Sequence, residues 1–130
     1  MRKLLPDIPT TEDEMRIQDV MTDAVQAVSP AASADRASEL MRAKGFRHLV
    51  VMDGGRLVGI LSDRDTGGRQ GPSVRRNRTV ADLMTRGVVT VPPTATVKKA
   101  ANVMQGRSIG CLVVTDKKRV VGIVTVSDLL

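Results

Sequence analysis

The sequence predicts an α/β (α+β) protein of two pseudo-symmetric units, each ordered helical turn, strand, helix, strand, strand, and packed sheet to sheet. Its 130 residues are 42% hydrophobic and 26% charged, a globular composition. At an offset of 63 residues, segment 17–65 overlays 80–128 without a gap, and 18 of the 49 pairs are identical. Within each copy, the segments predicted as strands are runs of β-branched and other apolar residues, and the segment predicted as the long helix has apolar residues three and four positions apart.

Each copy opens with a helical turn, over 17–22 in the first. A strand is predicted next, over 24–28 before Pro30 and over 87–91 before Pro92 and Pro93. A three-turn helix follows, since its apolar residues recur at i, i+3 and i+4: Ala37, Leu40, Met41 and Ala100, Val103, Met104. Ser33 and Thr96 are candidate N-caps, and Gly45 is a candidate helix stop.

Two short β-branched runs close each copy and predict a hairpin. In the first copy they are 48–52 and 56–61 around Asp53-Gly54-Gly55, and in the second 111–115 and 120–124 around Asp116-Lys117-Lys118. Segment 49–51, Leu-Val-Val, is apolar on both faces, which indicates a sheet covered on both sides.

The predicted organisation is an N-terminal arm over 1–16, a first unit over 17–65, a basic Gly/Arg loop over 66–79 and a second unit over 80–130. Segment 66–78 holds four Gly or Pro and four Arg, with Val74 as its one sizeable apolar residue, so we expect it to be exposed. Arg75, Arg76 and Arg78 are expected in solvent.

Composition excludes several functions. One cysteine, Cys111, and one histidine, His48, argue against disulfides, zinc clusters and a Ser-His-Asp relay, so hydrolysis is disfavoured and no metal site or catalytic cofactor is expected. No apolar run approaches the roughly 18 residues that span a bilayer, which favours a cytoplasmic protein without membrane contact.

The charge is uneven and points to an anionic partner. The net charge is −2 over 1–65 and +8 over 66–130. Nucleic acid is disfavoured, because Phe46 is the only aromatic residue available for stacking on bases.

From residue 17 onward the chain resembles a tandem pair of CBS domains, the Bateman module. Matching signatures open each copy at 19–22, Asp-Val-Met-Thr, and 82–85, Asp-Leu-Met-Thr. Each copy ends on a Gly-h-x-Thr/Ser-x-x-Asp pattern, with h apolar, at 59–65 and 122–128. Two such endings at the same place in an ungapped repeat make the resemblance specific.

The resemblance implies a non-catalytic regulatory homodimer that senses AMP, ADP, ATP, S-adenosylmethionine or NAD in clefts between its units. In that family the final Asp accepts hydrogen bonds from the ribose hydroxyls, and the preceding Thr or Ser supports the ribose or phosphate. Carried over by position, the first site would use Thr22, Val25, Ala27, Phe46, Ser62 and Asp65. The second site would use Thr85, Val88, Thr90, Ile109, Thr125 and Asp128.

Phosphate contacts are expected from Arg47, His48 and Arg64, whose counterparts are Gly110, Cys111 and Ser127, so two ligands should bind unequally. The sequence leaves open the ligand, the regulated protein and whether Mg²⁺ accompanies a phosphate.

Plainer interpretations stay open beside this one. Asp65 and Asp128 fit ordinary helix N-caps, Ser62 and Thr125 fit strand ends, and His48 fits an interior position. At the level of the whole protein, the alternatives are a dimerisation or scaffold module without ligand and a basic nucleic-acid-binding protein. An enzyme ranks below all of these.

Overall fold

The structure, a computed structural model, describes residues 15–68 and 71–129. The arm predicted over 1–16 therefore lies outside the described residues except for Met15 and Arg16. The elements, in chain order, are α1 (Ile17–Val20), β1 (Ala27–Val28), α2 (Ala34–Lys44), β2 (His48–Asp53), β3 (Arg56–Ser62), α3 (Pro72–Arg75), α4 (Val80–Leu83), β4 (Thr90–Val91), α5 (Val97–Arg107), β5 (Cys111–Asp116), β6 (Arg119–Thr125) and a 3₁₀ helix, η1 (Val126–Leu129).

The long helices α2 and α5 begin where the sequence predicts. The Ser33 Oγ accepts the Arg36 N–H at 3.1 Å, and the Thr96 Oγ1 accepts the Lys99 N–H at 3.0 Å. Gly45 ends α2 in the left-handed conformation at φ 73°, which glycine adopts without a Cβ penalty. Both predicted N-caps and the predicted stop are confirmed.

Two three-stranded sheets of mixed direction confirm the α/β class. Their orders are β1-β2-β3 and β4-β5-β6, with the first pair parallel and the second antiparallel in each. The predicted hairpins are confirmed within one residue at each end. Strands β1 and β4 are shorter than predicted, two residues each, because their register with β2 and β5 covers only those positions.

The described residues form two compact units, and neither unit is one copy of the repeat. The central unit contains residues 25–68 and 71–88, and the terminal unit contains residues 15–24 and 89–129. In the terminal unit, Thr22 exchanges two backbone hydrogen bonds of 2.9 Å with Ile123 of β6. In the central unit, Thr85 and Ile60 of β3 are joined in the same way, at 2.8 and 3.0 Å. Each copy's helical turn thus packs on the strands of the other copy.

Each unit has its own core of aliphatic side chains. The terminal core contains Ile17, Val91, Val97, Ala100, Met104, Leu112, Val114 and Val124. The central core contains Ala37, Met41, Leu49, Val51, Leu61 and Val80. Ile17 and Val80, both fully buried, show that the exchanged turns are part of the packing.

The expectation of an exposed loop over 66–78 is right only in part, since a short helix and buried side chains interrupt its described residues. Residues 72–75 form α3, while Thr66 and Arg75 are buried. Arg75 is buried because its guanidinium finds two acceptors, the Asp35 Oδ1 at 2.8 Å and the Thr66 carbonyl at 3.1 Å. Arg76 and Arg78 are exposed, as expected.

The second hairpin tip carries backbone strain that a substitution should relieve. Lys117 and Lys118 have φ of 53° and 68°, where the first hairpin has Gly54 and Gly55 at 57° and 82°. A side chain in this conformation costs about 1 kcal/mol or more. Lys117→Asn with Lys118→Gly should therefore raise the melting temperature by about 2–5 °C in calorimetry.

The matched control for this variant is the reverse exchange in the first hairpin. Replacing Gly54 and Gly55 with lysine should lower the melting temperature. Equal melting temperatures for all three proteins would contradict the strain at Lys117 and Lys118.

Candidate functional site

One edge of the central sheet gathers most of the first predicted site. Since β1 is parallel and β3 antiparallel to β2, the starts of β1 and β2 and the end of β3 share one edge. Val25, Ala27, the segment 46–48 and the segment 62–65 lie along it. The Asp63 N–H donates to the Arg47 carbonyl at 2.9 Å and ties the loop before β2 to the turn after β3.

The terminal sheet repeats this arrangement with the second predicted set. Thr90 belongs to β4, Ile109 precedes β5, and Thr125 ends β6 just before Asp128. Here the Val126 N–H donates to the Gly110 carbonyl at 3.1 Å. The two edges therefore have equivalent backbone frames.

The two Thr residues of the opening signatures do not lie in the same unit as most of their predicted set. Thr22 is in the terminal unit with Asp128, and Thr85 is in the central unit with Asp65. Val88 ends the central unit, although its neighbour Val89 accepts the Val113 N–H in the terminal sheet. The structure thus groups Thr85 with Ser62 and Asp65, and Thr22 with Thr125 and Asp128.

The two motif aspartates cap the turns in which they lie. The Asp65 Oδ2 accepts the Ser62 N–H at 2.8 Å, and the Ser62 Oγ accepts the Asp65 N–H at 3.1 Å. The Asp128 Oδ2 accepts the Thr125 N–H at 2.8 Å and the Thr125 hydroxyl at 3.2 Å. Each aspartate thus accepts an N–H from the residue three positions before it, as the third residue of a capping box does, and not from a following residue as the expected N-cap would. This contact uses one oxygen of each carboxylate.

The opening turns carry the same cap, which provides an internal comparison. The Oδ2 atoms of Asp19 and Asp82 accept the Arg16 and Thr79 N–H groups at 2.8 Å each. Hydrogen bonds from the Thr79 backbone and hydroxyl, and the charge of Arg78, hold the pKa of Asp82 below its usual value.

The four caps differ in their surroundings. Asp19 and Asp82 are exposed, whereas Asp65 and Asp128 are half-buried at the sheet edges. Within residues 15–68 and 71–129, the Oδ1 atoms of Asp65 and Asp128 accept no hydrogen bond. Each sheet edge thus has a half-buried aspartate with one carboxylate oxygen that accepts no hydrogen bond from the described residues.

Charge distinguishes the two edges. The central edge has exposed Arg47 and Arg64, with His48 half-buried in an interaction of its own and Asp63 exposed beside them. At the terminal edge the equivalent positions are Gly110, Cys111, Ser127 and Val126, which is 46% exposed. None of these four residues is a cation. Burial, and then the charge of Asp128, raises the pKa of the Cys111 thiol to about 12, so the thiol is neutral at physiological pH.

Residues 15–68 and 71–129 contain no cluster of three His, Cys, Asp or Glu side chains that would suit a metal ion. None of the helices described there has the length and apolar character to cross a membrane.

Sequence reasoning missed two features of the structure. One is the buried pair of Thr66 and Arg75 next to Asp65, for which the Arg-rich composition gave a misleading signal. The other is the cap shared by all four aspartates. Thr79-x-x-Asp82 and Thr125-x-x-Asp128 have the same spacing, which was a usable signal.

Comparison with known proteins gives a consistent family match. The family profile described as CBS domain matches residues 17–65 and 80–130. The CBS domain-containing protein YhcV of Bacillus subtilis is 32% identical over 114 residues, covering 87% of this chain and 81% of YhcV. Homoserine O-acetyltransferase of Methanohalobium evestigatum is 30% identical over 115 residues, but the match spans only 23% of that enzyme.

Two solved structures with bound adenosyl compounds are similar in fold. The CBS domain pair of protein MJ0100, in complex with 5-methylthioadenosine and S-adenosyl-L-methionine, has a TM-score of 0.78 and 27% identity. That match covers 88% of this chain and 92% of MJ0100's. CBSX2 in complex with AMP has a TM-score of 0.73 and 26% identity, covering 88% and 93% of the two chains.

Proposed function

Because this chain belongs to the CBS-domain family, we propose that it is a non-catalytic regulatory module that binds adenosine-type ligands at the two sheet edges. The observation that carries the proposal is the half-buried carboxylate at each edge, Asp65 or Asp128, with one oxygen in a cap and the other available. The adenosyl compounds and AMP bound by MJ0100 and CBSX2 support the ligand class.

A ribose diol suits such a carboxylate. The diol has two adjacent O–H donors, and the free Oδ1 of Asp65 or Asp128 has lone pairs to accept them. Because the cap fixes Oδ2, the carboxylate is oriented before the ligand arrives, which lowers the entropic cost of binding. A hydrogen bond to a charged acceptor contributes about 1.5–3 kcal/mol, enough to change affinity by tenfold or more.

The cations determine which ligands each edge prefers. Arg47 and Arg64 are exposed at the same edge as Asp65, and arginine pairs well with phosphate, so phosphate-bearing nucleotides should prefer the central edge. The terminal edge has no cation at the equivalent positions and suits an adenosyl ligand without phosphate. In this proposal the chain works as a homodimer whose ligand occupancy changes the activity of a partner protein.

The decisive experiment is titration of the full chain with AMP, ADP, ATP, NAD and S-adenosylmethionine by calorimetry. At least one should bind saturably in the wild type. Asp65→Asn with Asp128→Asn should weaken that binding about tenfold or more, because the charge is lost. Asparagine is preferred to alanine since its amide oxygen can still accept the capping N–H group.

The matched control is Asp82→Asn, which alters the same cap at an exposed position and should leave the dissociation constant unchanged. Equal weakening by Asp82→Asn would show that the altered cap, and not the loss of a ligand contact, is responsible. If none of the five compounds binds the wild type, the proposal fails, and a stable dimer without ligand would then favour the scaffold alternative.

A further inference from the structure

The turn that carries Asp65 is held from behind by its neighbour Thr66. Thr66 is fully buried, and its N–H and hydroxyl both donate to the Asp63 carbonyl, at 3.2 and 2.9 Å. The Thr66 carbonyl accepts a hydrogen bond from the Arg75 Nη1 at 3.1 Å. The backbone next to Asp65 is therefore fixed on its donor side by the turn and on its acceptor side by Arg75.

Arg75 also connects this turn to helix α2. Its Nε donates to the Asp35 Oδ1 at 2.8 Å, with the side chains of Arg75 and Asp35 10% and 58% exposed. Asp35 lies in the first turn of α2, where the helix dipole favours a carboxylate. One planar guanidinium thus reaches two acceptors on different elements, a geometry that a lysine ammonium cannot reproduce with a single rigid group.

The terminal unit has no such tie. The residue equivalent to Thr66 is Leu129, which ends η1, and no arginine among residues 15–68 and 71–129 bonds its carbonyl. The two motif turns share the cap but differ in what holds them from behind. Substitution of Arg75 should therefore disturb the motif turn at the central edge and leave the one at the terminal edge unchanged.

We infer that Arg75 is a positioning residue for the Asp65 turn, so that ligand binding at the central edge depends on the link from α2 through Arg75 to Thr66. The inference rests on the proposed function and adds that ligand binding at the central edge, but not at the terminal edge, depends on Arg75. Arg75 does not contact the ligand; it fixes the backbone from which Asp65 projects. Thr66 and α3 are thereby structural supports of the central edge.

The first readout needs no ligand. In Arg75→Gln, hydrogen exchange of the amides in 63–68 should accelerate about tenfold, while exchange in 126–129 stays unchanged. Arg76→Gln removes the same charge from an exposed neighbour and should leave both turns unchanged. Asp35→Asn, which leaves the Thr66 contact in place, should give a smaller acceleration and covers the case in which Arg75→Gln fails to fold.

The second readout is AMP affinity with one edge disabled at a time. In an Asp128→Asn background, Arg75→Gln should weaken AMP binding about fivefold or more, since the turn is no longer preorganised. In an Asp65→Asn background, the binding that remains should be insensitive to Arg75→Gln. A general loss of stability would instead lower affinity in both backgrounds.

The possible failures are separable. Unchanged exchange in 63–68 in Arg75→Gln, or equal weakening in both backgrounds, would overturn the role of Arg75 whatever the wild type binds. If the wild type binds none of the five compounds, the proposed function falls, and the positioning role for a ligand falls with it. Faster exchange would then show only a structural tie.

Discussion

Replacing Gly122 with alanine is expected to lower the free energy of unfolding by about 3 kcal/mol, the upper end of the cost of overpacking. A Cβ at this position would lie 2.6 Å from the Met21 Sδ and 3.0 Å from the Thr22 carbonyl oxygen. The sulfur can move aside, but the carbonyl is held by the paired backbone bonds between Thr22 and Ile123. Urea denaturation followed by circular dichroism measures the loss.

Two further glycine-to-alanine variants test the explanation. Gly59→Ala should cost a similar amount, because the Met84 Sδ and the Thr85 carbonyl lie at the same 2.6 and 3.0 Å. Gly106→Ala is the matched control. Gly106 lies within α5 with open space around it, so alanine should raise the free energy of unfolding by about 1 kcal/mol through its higher helix propensity. A Gly122→Ala protein as stable as the wild type would contradict the packing of the exchanged turn on β6.

Local signals made most elements predictable. The hairpins and the two long helices follow from features within a few residues of each boundary, such as the Ser33 cap and the Gly45 stop. Strands β1 and β4 were predicted too long because their length is set by pairing with distant residues, which periodicity does not contain.

The exchange of the helical turns could not be read from the sequence, for a reason specific to this repeat. The groups that form the contact are the same in both copies: Met21 and Met84, Thr22 and Thr85, Gly59 and Gly122. A turn packed on its own copy would meet the same residue types as a turn packed on the other copy. Only the structure distinguishes the two arrangements, and it changes which threonine accompanies which aspartate.

The candidate site was predictable in part. Asp65 was expected to be a helix N-cap or a ligand contact. Its carboxylate instead accepts the N–H of Ser62, three residues earlier, and the ligand contact stays a prediction. The burial of Arg75 was not predictable, because an arginine in a Gly-rich segment is expected to be exposed to solvent when its hydrogen-bond acceptors are unknown. Here those acceptors, Asp35 and Thr66, come from separate elements.

The thiol of Cys111 should react slowly in the folded protein. Burial and the nearby charge of Asp128 raise its pKa to about 12, against an ordinary value of 9.0. At pH 8 the thiolate fraction therefore falls by about 10³ relative to an exposed cysteine. A thiolate of higher pKa is a better nucleophile, by roughly 20-fold over this difference, which leaves a net reduction of about 50-fold.

Iodoacetamide at pH 8 is accordingly expected to alkylate Cys111, the one cysteine of the chain, about 50-fold more slowly in the folded protein than in guanidinium. Asp128→Asn should speed the folded-state reaction, yet leave it below the unfolded rate, since burial is the larger cause. Asp82→Asn, in the other unit, should change nothing. Equal rates in folded and unfolded protein would contradict the burial of the thiol. Further slowing by S-adenosylmethionine would report occupancy of the terminal edge, because Cys111 begins β5 at that edge.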